Sequence, residues 1–268
     1  MGGLLFVVIP VIIYLLMNTN AFSDKKVMFV ILSYVLYCFV GFLDDILIIV
    51  RKNNDGISPI SKLIMEFIFT LVLYFVFKDI ISTKIAIPFT KASVDFGIFY
   101  IPFMFLLFMA EANAANFTDG MDGLCAGVSC IGLIVFAVLL ALKNESDLLL
   151  LVICVIGAIL GYLYFNWHPA KIFMGDSGSL ALGALYAALA VVLKCEVALF
   201  FIGGVFVIEM FCVVVQQLAV RIFHKRVFTY TPIHYAFVIK KYNEVKIVIG
   251  FYLVELVLGI IGLILGIN

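Results

Sequence analysis

The chain reads as an all-α, polytopic integral membrane protein. Two observations predict this. Hydrophobic residues make up 66% of the sequence and charged ones only 13%, and apolar runs of about 20 residues, the length that crosses a bilayer core, recur from end to end. A transmembrane barrel is excluded because its strands alternate over segments of about ten residues, whereas these runs are continuous. A formal net charge of zero argues against nucleic acid as a partner. The first apolar run has neither the charged start nor the small-residue cleavage site of a removable signal peptide.

Nine spans are expected, at about 3–17, 27–48, 63–77, 98–116, 123–142, 148–165, 177–194, 197–220 and 246–267. No linker or soluble segment interrupts them, so 1–268 reads as a single transmembrane domain. The six cysteines (Cys38, Cys125, Cys130, Cys154, Cys195, Cys212) are scattered through apolar runs without metal-ligand spacing, and they read as small buried hydrophobes. The connections alternate in character. Asn18 to Lys26, Lys143 to Asp147 and Lys194 to Glu196 are short, and the segment from Lys78 to Gly97 alternates Ile85, Ile87 and Phe89, as a small hairpin near 84–96 would. The other four connections carry the polar residues, and counting crossings puts all four on one side. That side holds ten of the 17 lysines and arginines, a bias that favours the cytoplasm.

Near the end of the second span, Gly41-Phe-Leu-Asp44-Asp45 places two carboxylates side by side. Unless this is a solvated helix end, a cation must compensate them or one stays protonated, and the pair can take a proton from a nucleophile. Ser58 before Pro59 suits a helix cap with proline in the first position. Lys62 either pairs with Glu66 one turn on or faces a phosphate. In Asn113-Ala-Ala-Asn116-Phe-Thr-Asp119-Gly120-Met-Asp122-Gly123, the spacing by three turns two amides and a carboxylate toward one sector of a helix. The glycines then let the backbone turn close to a ligand. Such amide and carboxylate edges suit a heterocycle or sugar; a plain helix–turn–helix with Asp122 as cap explains one aspartate only.

In Asn166-Trp-His-Pro169-Ala-Lys-Ile-Phe173-Met-Gly175-Asp176-Ser-Gly-Ser179, Asp176 is placed to cap a helix beginning at Ser177. Set beside Asp44, Asp45 and Asp119 on the same face, it reads better as part of a hard-cation site. Oxygen ligands and few histidines point to Mg²⁺ with phosphate rather than to zinc. Ala181, Gly183, Ala184, Ala187 and Ala188 make the following helix thin, for close packing. Arg221 to Lys246 is the most basic connection and contains Pro232-Ile233-His234, where the histidine is either structural or a phosphate contact. Glu209, mid-span, reads as a buried hydrogen-bond partner in preference to a member of the site.

These residues resemble the polyprenyl-phosphate N-acetylhexosamine-1-phosphate transferases, and within them most closely the bacterial phospho-N-acetylmuramoyl-pentapeptide transferases. The resemblance is carried in order by Met1-Gly2-Gly3, Gly41 to Asp45, Asn113 to Leu124, Phe173 to Gly183, Gly203 to Glu209 and Pro232-Ile233-His234. Thr118, and Pro-Ile-His in place of the histidine-rich motif of the N-acetylglucosamine branch, favour the muramoyl branch. The family has ten spans and a lysine-containing segment ahead of Met-Gly-Gly, so a chain starting at Met1 is expected to lack the first helix. The family's histidine triplet stands here as His234-Tyr235-Ala236.

The resemblance implies transfer of phospho-MurNAc-pentapeptide from UDP-MurNAc-pentapeptide to undecaprenyl phosphate. UMP is released and lipid I formed for peptidoglycan, at the cytoplasmic face of a bacterial plasma membrane. It implies Mg²⁺ on Asp176, Asp44 acting on the acceptor phosphate with Asp45 in support, and Lys62 and His234 on phosphate oxygens. Asn113, Asn116, Asp119, Gly120, Asp122 and Phe173 would bind substrate, chiefly as a uridine pocket. A homodimer is also implied, with Gly259, Gly262 and Gly266 as a small-residue face of the last helix. The alternatives are GlcNAc-1-phosphate transfer from UDP-GlcNAc and a non-catalytic homologue that binds lipid phosphate or partners. A transporter fits less well, because transporter sites lie near the midplane.

Overall fold

The computed structural model describes residues 1–18, 21–52, 56–90 and 92–267; segment 53–55 of the connection after Arg51 lies outside them. The helices run α1 (Gly3–Met17), α2 (Lys25–Arg51), α3 (Pro59–Phe77), α4 (Tyr100–Thr118), α5 (Leu124–Leu142) and α6 (Ser146–Asn166). They continue as α7 (Asp176–Leu193), α8 (Glu196–Ile202), α9 (Gly204–Phe223), α10 (Ile233–Ile239) and α11 (Glu244–Gly266). Among the described residues eight helices are long and apolar enough to cross a membrane, and α1 is a shorter apolar helix. At 1.5 Å per residue α1 spans only about 22 Å.

The expected span at 197–220 differs most from its sequence reading. It is two helices, α8 and α9, broken at Gly203. Two successive glycines weaken the helix there, and the N–H of Val205 that the break frees is taken by the carboxylate of Glu255 at 2.8 Å. The short α10 in the basic connection was not expected. The hairpin was: β1 (Lys84–Ala86) pairs antiparallel with β2 (Ser93–Asp95), Ile85 opposite Val94. It stops before Phe89, which has a positive φ and lies exposed. The cap of α3 forms as expected, with the Ser58 hydroxyl accepting the Ser61 N–H at 3.1 Å and Pro59 in the first position.

α7 is the buried axis of the bundle, with α2 and α4 packed along it. Its small residues permit this. A Cβ on Gly183 would overlap the backbone of Glu111 in α4, and one on Gly41 of α2 would overlap the backbone of Asp176. Gly41→Ala is therefore expected to destabilise the protein by about 1–3 kcal/mol, read as a lower thermal midpoint of the purified protein. An unchanged midpoint would mean that the α2–α7 contact yields more readily than its geometry implies.

The glycines of the last helix have a different use from the one expected. Gly259 faces Val135 of α5, Gly262 faces Ile202 of α8 and Gly266 faces Leu139 of α5. They let α11 approach its own neighbours, so they are no free face for a second copy.

The four polar connections do gather at one end. The N–H groups of Gly2 and Gly3 donate to the carbonyls of Phe173 and Met174 at 2.8 and 2.9 Å, which fixes the start of α1 beside the loop before α7. Hydrogen bonds around the first turn of α7 and the turn at Gly120 tie the remaining connections to the same place.

Candidate active site

The site is built around the first turn of α7. The helix starts at Asp176, one residue earlier than the sequence implied, and Asp176 is not its cap. Asp45, projecting from α2, accepts the N–H groups of Asp176 at 3.0 Å and Ser177 at 3.2 Å. A carboxylate there satisfies donors that a helix start leaves unpaired and complements its dipole. Gly175, at φ +75°, leaves the room this needs, since a Cβ would stand 2.6 Å from the Asp45 carboxylate.

Relieved of capping, the Asp176 side chain turns outward and is held from two sides. Lys62 of α3 donates to one oxygen at 2.8 Å, and the Asn116 amide of α4 donates to the other at 2.7 Å. The same amide reaches the Ser179 hydroxyl at 3.0 Å. Lys62 thus pairs with Asp176 in preference to Glu66, the nearer of its two expected partners. Glu66 is instead met by Asn113, whose amide lies 3.3 Å from both carboxylate oxygens and also donates to the Met109 carbonyl at 2.8 Å. Asp44 is buried and accepts the Ile57 N–H at 2.8 Å, which ties the segment before α3 to α2.

Asp44, Lys62, Glu66, Asn113, Asn116, Asp176 and Gln217 line a cleft of 520 Å³ together with the apolar Ile57, Pro59, Leu63, Met109, Phe117 and Met210, so its lining is about half apolar. Leu63 is exposed on the outer surface of α3, so the cleft lies beside the region that lipid would occupy.

Behind Asn116 the chain turns through Asp119 to Gly123. Asp119 is half-buried. Burial pushes its carboxyl well above the usual range, the charges of Asp176 and Asp45 push the same way, and a hydrogen bond from the Gly175 N–H pulls against them. The two glycines of this turn serve different needs. Gly123 has φ +78°, a conformation that costs glycine little. Gly120 provides closeness, because a Cβ there would overlap Nε2 of His234. The Tyr235 hydroxyl donates to the Gly120 carbonyl at 2.9 Å and the Tyr252 hydroxyl to the Gly123 carbonyl at 2.6 Å. Gly120→Ala is expected to push α10 off this turn, and the overpacking should cost about 1–3 kcal/mol. A lower thermal midpoint of the purified protein checks it, and an unchanged midpoint would mean that His234 yields without moving α10.

His234 is fully buried, with Nδ1 at 3.0 Å from Glu209, which also accepts the N–H groups of Ile233 at 2.6 Å and His234 at 3.2 Å. Glu209 is thus the buried hydrogen-bond partner the sequence favoured. Its bond to Nδ1 leaves Nε2 facing the turn, without a protein partner.

Asp122 is no cap either. It accepts from His168 Nδ1 at 3.0 Å and from the Ala170 N–H at 2.9 Å, while its own N–H donates to Glu244 at 3.3 Å. Asp122, His168 and Glu244 place three ligand-type atoms within 4.8 Å of one another, although the bonds they exchange already account for the arrangement. Asn166 joins the two loops by accepting the Gly123 N–H at 3.0 Å and donating to the Ile172 carbonyl at 2.9 Å. Phe173 is exposed and does not line the cleft. Sequence reasoning quoted Asn166 and His168 within their motif without assigning them a contact. The available signal was that the motif's polar side chains exceed what one helix start needs. Glu244 carried no such signal.

The arrangement can do two things chemically. Asp176 is paired with the Lys62 ammonium, Asp45 is held by backbone N–H groups and Asp44 lies in the same cleft as Asp176, so the carboxylates outnumber the side-chain cation among them and suit a hard divalent cation and oxygen chemistry. The half-apolar cleft suits an amphiphile whose charged end meets that cluster.

Residues 27–194 match the pattern of glycosyl transferase family 4. The chain is 37% identical to the phospho-N-acetylmuramoyl-pentapeptide-transferase of Geobacillus sp. (strain WCH70), over 98% of this chain and 82% of that protein. It is 37% identical to that of Bacillus subtilis (strain 168), with the same coverage, and 38% identical to that of Clostridium beijerinckii, over 98% of this chain and 80% of the relative. With its motifs meeting at one end of an all-helical membrane bundle and this likeness running along nearly its whole length, the chain belongs to glycosyl transferase family 4 and, within it, to the phospho-N-acetylmuramoyl-pentapeptide transferases.

Proposed function

We propose that the chain transfers phospho-MurNAc-pentapeptide from UDP-MurNAc-pentapeptide to undecaprenyl phosphate, releasing UMP and forming lipid I. The observation that carries this reading is the cleft whose lining mixes Asp44, Lys62 and Asp176 with the apolar Ile57, Leu63 and Met210. A polyprenyl phosphate keeps its tail against Ile57, Leu63 and Met210 while its phosphate meets the carboxylates. The soluble nucleotide approaches from the turn beyond Asn116. We place this end of the bundle at the cytoplasmic face, where more of the lysines and arginines lie, and we take the working unit to be a homodimer.

Phosphoryl transfer needs positioning and charge neutralisation more than covalent chemistry. The carboxylate excess fits Mg²⁺, which Asp176 would hold with Asp44 and Asp119 nearby; when bound, it neutralises diphosphate oxygens. Asp44, anchored by Ile57, accepts a proton from the acceptor phosphate or orients it for attack. Asp45 acts through α7 by fixing the turn that carries Asp176. Lys62 holds Asp176 in place and presents positive charge to the phosphates. His234, oriented by Glu209, offers Nε2 to a phosphate oxygen across Gly120. Asn116, Asp119, Gly120, Asp122 and Phe173 line the uridine side, and Asn113 acts from one turn below.

The test is incubation of the purified chain with UDP-MurNAc-pentapeptide, undecaprenyl phosphate and Mg²⁺, with UMP and the lipid product measured together. Both should appear in equal amounts and vanish when the metal is chelated. Turnover of UDP-GlcNAc alone would assign the chain to GlcNAc-1-phosphate transfer. Binding of nucleotide without UMP release at any Mg²⁺ concentration would make it a non-catalytic homologue.

A further inference from the structure

Two glutamates play no part in the site above. Glu111 lies on α4, about 7 Å below Asn116 at 1.5 Å per residue, and Glu255 lies midway along α11. Both are buried, Glu255 completely. Both reach the break between α8 and α9. Oε2 of Glu111 stands 3.1 Å from the point a Cβ on Gly203 would occupy, and Oε2 of Glu255 accepts the Val205 N–H at 2.8 Å. The remaining oxygens, Oε2 of Glu111 and Oε1 of Glu255, are buried without a hydrogen-bond partner.

Among the described residues, no lysine, arginine or histidine pairs with either carboxylate. α7 presents Tyr186, whose hydroxyl donates to the Ser129 carbonyl at 2.8 Å, and α5 presents Ser129 and Cys130. On α9, Glu209 is taken by α10. Among the described residues neither Glu111 nor Glu255 forms an ion pair. Two ionised carboxylates at bilayer depth cost several kcal/mol each. The N-terminus of α9 offsets about half a charge for Glu255, and nothing does so for Glu111. A proton or another cation that is not part of the chain would remove that cost. The broken helix leaves backbone groups and buried carboxylate oxygens at one depth, and such non-helical backbone is tolerated where protein buries it or it lines a water-filled cavity. Two or three free oxygens are too few for calcium, and magnesium sheds its waters reluctantly.

We propose that Glu111 and Glu255 at the α8–α9 break form an exchangeable intramembrane site for a monovalent cation, filled by a proton or a sodium ion. The site is mechanically joined to the reactive end. α4 carries Glu111 on the same rod as Asn113 and Asn116, and α9 runs from the break to Glu209, which holds His234. This assignment stands apart from the transferase reading, since its primary readout is stability.

The test follows the thermal midpoint of the purified full chain, with sodium varied against N-methyl-D-glucamine at constant ionic strength and, separately, with pH varied. A sodium site raises the midpoint by about 5 °C near a hundredfold excess over Kd. A proton site raises it as pH falls and ignores sodium. In either case the Glu111→Gln/Glu255→Gln variant loses the dependence. Parent and variant following the same sodium and pH curves would overturn the proposal. Should the double variant fail to fold, the infrared band for protonated carboxyl groups is compared between the parent and the Glu255→Gln variant. A part of the parent's band that sodium or raised pH removes and that the variant lacks supports an exchangeable cation, and identical bands in the two overturn it.

Discussion

Asp176→Asn is expected to lower the rate of UMP release by about 10³-fold or more, beyond the loss of a single preorganised contact. The reason lies in what surrounds it. Lys62 and Asn116 both donate to this carboxylate, at 2.8 and 2.7 Å. An amide at this position keeps one acceptor and turns a donor toward one of these two donors, so the change removes the charge and sets donor against donor. The first turn of α7 should persist, because its N–H groups belong to Asp45. The variant should therefore fold, bind nucleotide with little change in KM and lose kcat, with its response to Mg²⁺ blunted. Parent-level turnover would reduce Asp176 to a structural ion pair and remove the proposed metal from this position.

That prediction depends on contacts the sequence showed only in part. Local features were legible: the Ser58–Pro59 helix start, the hairpin, the thinness of α7. Each is decided by residues within a few positions of one another. The gathering of four connections at one end was legible too, since it follows from counting crossings. Which polar group meets which was not. Asp45 and not Asp176 satisfies α7, and Lys62 passes over Glu66, one turn away, for a residue on α7. These choices are set by how α2, α3 and α7 cross, and spacing along the chain does not encode that. The break at Gly203 was hidden for a similar reason. A glycine pair within an apolar run reads as helix until the freed N–H of Val205 is seen to have a buried partner on α11.

The adjacent aspartates give the sharpest test of this division. Asp44→Asn should leave stability nearly unchanged, because an amide oxygen can still accept the Ile57 N–H. It should lower kcat by about 10²–10⁴-fold, the usual contribution of a positioned acid or base. Asp45→Asn should do the opposite. An amide oxygen caps α7 less well and no longer complements its dipole, which costs about 1 kcal/mol and appears as a lower thermal midpoint. Activity should fall far less, because Asp45 meets backbone N–H groups and no reacting atom. Paired measurements of kcat and midpoint on the two variants separate the roles. If Asp45→Asn abolished turnover at an unchanged midpoint while Asp44→Asn only lowered the midpoint, the proton-accepting role would pass to Asp45 and the cleft wall would have to be read from that side.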